Sequence, residues 1–205
     1  MERYVIGVAG GTGAGKTTLA EGLAERICPG CAAVIHEDRY YRDNSHLEAA
    51  LRERLNYDHP DAVDLDLLAR HVLELGSGRT VTQPVYDFVL HVRSRETVTV
   101  FPERFIIVEG LFTLFNRLLR DVINLKVFLD LEDSERLARR IQRDVRERGR
   151  TEESVIRQWN STVQPMYEMF VKPSRSSADL ILSGGDSVER NAATVKDLLS
   201  SKNIL

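Results

Sequence analysis

An α/β domain built on a mainly parallel sheet is predicted by three features of the residue order. Short apolar runs alternate with longer amphipathic segments, the runs are β-branched or aromatic along most of their length, and the first of them leads straight into a glycine-rich loop that opens a helical pattern. The 205 residues suit one domain over 1–205, with a core large enough to need no staples. At 42% apolar and 29% charged residues the chain is neither disordered nor collagen-like. Its 28 basic residues against 31 acidic ones, a net charge of -3, leave no basic surface fit to grip a nucleic-acid backbone. No apolar stretch reaches the roughly 18 to 20 residues of a membrane span, and MERYVIGVAGG lacks the regions of a signal peptide. Neither nucleic acid nor membrane is therefore expected as a partner, and the expected location is cytoplasmic.

Strands are expected at 4–9 (YVIGVA), 32–36 (AAVIH), 105–108 (FIIV), 126–131 (KVFLDL) and 178–182 (ADLIL), the continuous runs of strands buried on both faces. Between them, apolar spacing places helices near 15–27, 62–75, 133–147, 152–170 and 188–199. Asp133 and Thr151 stand where N-caps belong, and Gly76 and Gly149 just past C-terminal ends. The interval 79–101 breaks this rhythm: RTVTQPVYDFVL and RETVTVF alternate in polarity around HVRS at 91–94, which reads as a β-hairpin flap. Cys28 and Cys31 form a C-x-x-C. They follow the C-terminal end of a helix, which disfavours a thiolate, and lack a second ligand pair for zinc, so no function is assigned to them.

Residues 10–17, GGTGAGKT, match G-x-x-x-x-G-K-[ST] in full, with a strand before and a helix after. Backbone N–H groups of such a loop wrap phosphates at a helix N-terminus, the lysine reaches the β and γ oxygens, and the hydroxyl holds magnesium. The expected triphosphate-binding set is Gly10, Gly11, Thr12, Gly13, Ala14, Gly15, Lys16, Thr17 and Thr18. No N-K-x-D for guanine is present. Glu109 ends the 105–108 run, where a magnesium water or the phosphates would lie, although a helix N-terminal acid also fits there. Asp38 ends the second strand in HEDRYYRD, where transfer to an alcohol needs a carboxylate to accept the hydroxyl proton; a cap residue is the plainer alternative. From 136 to 150 the chain carries seven arginines against Asp144 and Glu147. Arg136, Arg140 and Arg143 share one helical face, with Arg148 and Arg150 at its end, and this face is not expected to be explained by internal pairing. Arginines closing over a triphosphate fit it.

GGTGAGKTT, HEDRYYRD, NYDHPDAVDLDLL, PVYDFVLHVR, FIIVEGL, KVFLDLEDSERLARRIQRDVRERGR and PMYEMFVKPS together closely resemble the uridine kinase (uridine-cytidine kinase) family over nearly the whole chain. NYDHPDA and the PVYDF-x-x-H run are the specific part, shared only with phosphoribulokinase-like relatives. The resemblance implies a P-loop fold of nucleoside-monophosphate-kinase type, with a five-stranded parallel sheet, a β-hairpin flap at 79–101 and an arginine-rich helical lid at 133–157. It implies transfer of the ATP γ-phosphate, with Mg2+, to the 5'-hydroxyl of uridine or cytidine in pyrimidine salvage, by an enzyme that is commonly a tetramer. Asp38 looks like the general base near the metal, Glu109 the second acid at the metal, and Thr17 the hydroxyl ligand. Asp58 with Arg140 looks like the pair on the ribose hydroxyls, and Tyr86, Phe88 and His91, with Tyr41 and Gln158 nearby, like the pyrimidine site. Lys16 and Arg143 would act on the transferring group, and Arg148 and Arg150 on the phosphates. A kinase for another small alcohol, such as nicotinamide riboside or a phosphopentose, and a nucleotide-binding regulator without turnover remain alternatives. Arg39 beside the proposed base and GLFTLFN after Glu109 depart from the family pattern.

Overall fold

The computed structural model describes residues 3–205, so Met1 and Glu2, at the start of the predicted domain, lie outside the described residues. The strands are β1 (Tyr4–Gly10), β2 (Ala32–His36), β3 (Val81–Asp87), β4 (Val92–Val100), β5 (Phe105–Gly110), β6 (Leu125–Asp130) and β7 (Leu180–Ser183). Five of them form a parallel sheet in the order β2-β5-β1-β6-β7, and β3 and β4 pair antiparallel apart from it. The helices are α1 (Lys16–Ile27), α2 (Ala49–Arg52), α3 (Leu65–Gly76), α4 (Arg117–Val122), α5 (Asp133–Arg148), α6 (Glu152–Gln158) and α7 (Val188–Ser201).

The two-residue period of the strands explains why the central runs are apolar throughout. Val5, Ile106 and Val108 face Leu68, Val72 and Leu75 of α3, while their neighbours Ile6, Val8 and Ile107 face Leu19 and Leu23 of α1 and Val195 and Leu199 of α7. All of these side chains are buried. Because β1 lies between β5 and β6, its carboxyl end opens at the middle of the sheet, where crevices in parallel α/β sheets form.

Several local expectations are corrected. Asp133 is the first residue of α5 rather than its cap: Glu132 holds the cap position, and the Asp133 carboxylate accepts from Arg136 Nη2 and Gln164 Nε2, both at 2.5 Å. Thr151 does cap α6, accepting from Ser154 N at 3.3 Å, and Gly149 ends α5 in a left-handed conformation. Gly76 is still helical, the chain turning at Ser77 and Gly78. α3 starts at Leu65, not 62, because Pro60–Ala62 forms its own 3-10 turn and Asp64 caps the helix through Leu67 N at 3.2 Å.

The helix expected over 152–170 continues past α6 through two π-helical segments, Trp159–Val163 and Tyr167–Val171. Each ends two residues before a proline, Pro165 and Pro173; a widened turn relieves the clash of a proline ring with the carbonyl below it and absorbs its missing N–H. The hairpin turn lies at 88–91 and not at 91–94, because the Asp87 carboxylate accepts from Val89 N at 2.8 Å and Leu90 N at 2.9 Å and closes the turn early. Cys28 and Cys31 lie side by side across the turn from α1 to β2, their Cα atoms 5.4 Å apart.

Candidate active site

The loop between β1 and α1 opens into a cavity of about 1020 Å³ lined by Thr12, Gly13, Gly15, Lys16, Thr17 and Thr18 on its floor. Lys16 Nζ donates to Gly11 O at 3.1 Å, which folds the amine over the loop. Gly13 has φ +78, and a Cβ there would strike the carbonyl of Arg136, so both conformation and space demand glycine. Gly10, Gly11 and Ala14, expected among the phosphate-binding residues, do not line the cavity: Gly10 lies against Leu129 O, Gly11 against the Arg136 guanidinium, and Ala14 packs into the core.

Thr17 Oγ1 donates to Glu109 Oε1 at 3.1 Å, and His36 Nδ1 approaches the same oxygen at 2.9 Å. Asp38 faces them from the turn after β2. Burial first, and then the Glu109 carboxylate, push the Asp38 carboxyl above its ordinary range, while Lys16 pulls it back. Burial lowers the Lys16 amine, with Glu109 and Asp38 opposing. Arg39 does not enter this cluster, since its Nη1 donates to Gln83 Oε1 on β3 at 3.3 Å. Glu37, which nothing in the sequence singled out, is 1% exposed and accepts from Phe112 N on both oxygens at 3.0 Å and from Thr113 Oγ1 at 3.2 Å. Burial drives its carboxyl up to about 8. It braces the Asp38 turn against the loop after Glu109, and Gly110 leaves the room, since a Cβ there would run into the Glu37 carboxylate.

Opposite the loop, Asp58 is buried, with Oδ1 3.7 Å from Arg140 Nη1 and Oδ2 accepting from Thr162 Oγ1 at 3.4 Å. Arg140 Nη1 also donates to Thr12 Oγ1 at 3.2 Å and Nη2 to Gln158 Oε1 at 3.1 Å, so one guanidinium ties the phosphate loop to the far wall. Burial raises the Asp58 carboxyl, and Arg140 opposes it. The wall beyond is aromatic: Tyr41 and Tyr86 have ring centroids 5.1 Å apart, Tyr86 and Phe88 5.3 Å, and Tyr57 and His91 stack at 4.7 Å and 15°. Tyr57 is a further residue the sequence did not mark, although it adjoins Asp58 in NYDHP.

The arginine face is corrected in one respect. Internal pairing does account for much of it, because Asp144 is fully buried among Arg140, Arg143, Arg148 and Arg150. Arg143 and Arg148 line the cavity near the loop, with Arg148 5.6 Å over the Phe88 ring. Arg150 also lines the cavity, but its guanidinium is engaged by Gln158 Oε1 and by Ser154 Oγ at 2.8 Å, on the Arg140 side. Arg136 does not reach the cavity; its guanidinium is fully buried, 3.7 Å from the Tyr167 ring centroid and 5.0 Å from that of Trp159.

The described cavity thus joins a phosphate loop, acids on both sides of it, an arginine helix and an aromatic wall. The model of the phosphoribulokinase / uridine kinase family matches residues 5–190. The chain belongs to that family. A uridine kinase of Clostridium novyi is 41% identical over 204 residues, 98% of each chain, and one of Streptococcus thermophilus is 42% identical over 198 residues, 97% of this chain and 92% of the other. Among solved structures, a phosphoribulokinase of Rhodobacter spheroides matches with TM-score 0.67 at 18% identity, covering 89% of this chain and 70% of that one. A D-glycerate 3-kinase of Cryptococcus neoformans matches with TM-score 0.66 at 19% identity, covering 91% and 88%. These two speak for the fold alone. For a member of the phosphoribulokinase / uridine kinase family, the expected set Lys16, Thr17, Asp38, Tyr41, Asp58, Tyr86, Phe88, His91, Glu109, Arg140, Arg143, Arg148, Arg150 and Gln158 lies around one cavity.

Proposed function

We propose that this chain transfers the γ-phosphoryl group of ATP to the 5'-hydroxyl of uridine and cytidine, forming UMP and CMP in the cytoplasm for pyrimidine salvage. The observation that carries this reading is that one cavity is lined by the phosphate loop, by Asp38, by the Asp58–Arg140 pair and by a flat aromatic wall. A carboxylate accepts from two neighbouring hydroxyls at once, and an aromatic wall takes the flat base. His91 beside it offers a donor and an acceptor, which suits both pyrimidines.

In this reading Asp38 accepts the proton of the 5'-hydroxyl as the oxygen attacks in line. Lys16 and Arg143 stabilise charge on the equatorial oxygens, Arg148 and Arg150 approach the phosphates, and the hairpin and lid exclude water. Thr17, Glu109 and Asp38, which line the cavity together, would supply oxygen ligands of the kind Mg2+ takes, and the ion would neutralise phosphate charge there. Residues 1–205 act as one kinase domain, with 79–101 as flap and 133–157 as lid, in a homotetramer.

The test is mass-spectrometric detection of monophosphates from uridine, cytidine, purine nucleosides, nicotinamide riboside and pentose phosphates with ATP and magnesium. UMP and CMP are expected, with a loss of about 10²- to 10⁴-fold in Asp38→Asn while ATP still binds. Phosphorylation of a pentose phosphate or nicotinamide riboside instead would assign another alcohol, and unchanged turnover in Asp38→Asn would remove the base.

A further inference from the structure

Asp144 presents one carboxylate to four guanidinium groups at a site with no exposure. Its Oδ1 lies 2.8 Å from Arg143 Nη2 and 3.7 Å from Arg148 Nε, and its Oδ2 3.5 Å from Arg140 Nε and 3.6 Å from Arg150 Nη1. Among the described residues only the Arg143 side is hydrogen-bonded: Asp144 Oδ2 and Arg140 Nε are both buried with no hydrogen-bond partner there. Across the cluster, four arginines share the buried carboxylates Asp144 and Asp58, while Asp38 and Glu147 act on Arg143 and Arg148 from the cavity lining, so the guanidinium groups crowd around one fully buried anion. Crowded, partly buried cations are costly, and an anion entering from the open side relieves them further. Burial and the neighbouring Arg143 lower the Arg148 pKa, as crowding among cations does.

We propose that Asp144 is the resident counter-ion of the lid arginines, holding Arg143 and Arg148 at the cavity in the place that nucleotide phosphates take, and linking them through Arg140 to the sugar-side carboxylate Asp58. The proposal rests on the reading of this cavity as a triphosphate site. Asp144 is fully buried and does not line the cavity, so its role is that of a positioning residue. Its carboxylate competes with phosphate for the same guanidinium groups, and it keeps those groups aimed while the cavity is open.

Asp144→Asn keeps the shape and removes the charge. Without added anion its melting temperature is expected to fall by about 5 °C or more, and inorganic tripolyphosphate is expected to raise it by more than it raises the wild type, because the polyanion now relieves the repulsion. In turnover with uridine, kcat falls about 10-fold or more while the KM for ATP stays level or drops, since binding is helped and aim is lost. A tripolyphosphate gain no larger than in wild type, or a raised KM for ATP with unchanged kcat, overturns the proposal in favour of a packing role. If Asp144→Asn does not fold, Asp144→Asn/Arg148→Met removes one cation with the anion and is expected to fold, compared against Arg148→Met; failure of the double variant to fold also overturns it. A wild-type protein that tripolyphosphate does not stabilise, or that phosphorylates no nucleoside, would instead sink the reading of the cavity itself, before any Asp144 variant is compared.

Discussion

His91 turns the corner of the β3–β4 hairpin at φ 55, a conformation that costs a side chain bearing a β-carbon on the order of 1 kcal/mol. The hairpin itself would be better served by glycine, so what keeps an imidazole there is its stack on Tyr57 beside the aromatic wall. His91→Gly is therefore expected to melt no lower than wild type, while kcat/KM for uridine falls about 10-fold through the lost hydrogen bond and ring contact. A drop in melting temperature would show that the ring holds the turn rather than the base. Burial lowers the His91 pKa below its ordinary 6.5, so the ring is uncharged at neutral pH and gains its proton only on the acid side. The KM for uridine should stay flat from about pH 7 to 8.5 and rise below about pH 6, a rise that His91→Gly should lack.

Glu37 shows how elements, rather than single side chains, set the distance between the two acids at the loop. It joins the turn after β2 to the loop after β5 through Phe112 N and Thr113 Oγ1. Its folded pKa, about 8, stands above the unfolded one, so its favourable contribution is complete below about 4.5 and is lost as pH rises through 8. Glutamine mimics the protonated acid. Glu37→Gln should match wild type in stability near pH 5 and gain on it by at least about 1 kcal/mol by pH 8, read from urea midpoints at each pH; a gap that does not move with pH would place the Glu37 pKa in its ordinary range. None of this was legible in HEDRYYRD, because a buried carboxylate is defined by partners 75 residues away. The β1, β2 and β5 runs were legible because strands covered on both faces must be apolar throughout, and GGTGAGKT because phosphate wrapping fixes residue types in sequence. The pairing of Asp144 was hidden for a related reason: a count of charges on a helix cannot tell a solvated carboxylate from one that four arginines enclose. Tyr57 and the π-helical segments were hidden as well, the first because its stacking partner His91 lies far along the chain on the β3–β4 hairpin, the second because a widened turn leaves the apolar spacing almost unchanged.

On the scale of the whole molecule, charge is sorted rather than balanced. The chain carries -3 overall, yet its cavity is lined by eight basic and five acidic side chains, a local excess of opposite sign. Low-dielectric walls focus such a field toward the opening, which draws in a polyanion and does nothing for a neutral nucleoside. The sequence already held this asymmetry in the run from 136 to 150, but not its direction: the fold turns Arg143 and Arg148 inward over the loop and sends Arg136 beneath it, against Tyr167. If the arginines meet the phosphates, raising ionic strength from about 0.05 M to 0.5 M, where the screening length falls well below the width of the cavity, should raise the KM for ATP about 3-fold or more. The KM for uridine under the same conditions should change less than about 2-fold, because Asp58 and the aromatic wall bind an uncharged partner at short range. Steady-state kinetics with each substrate varied in turn at fixed free magnesium reads both constants. Parallel increases would mean that salt acts on the arginine helix as a whole and that the excess charge is structural; a rise confined to ATP ties it to the phosphates.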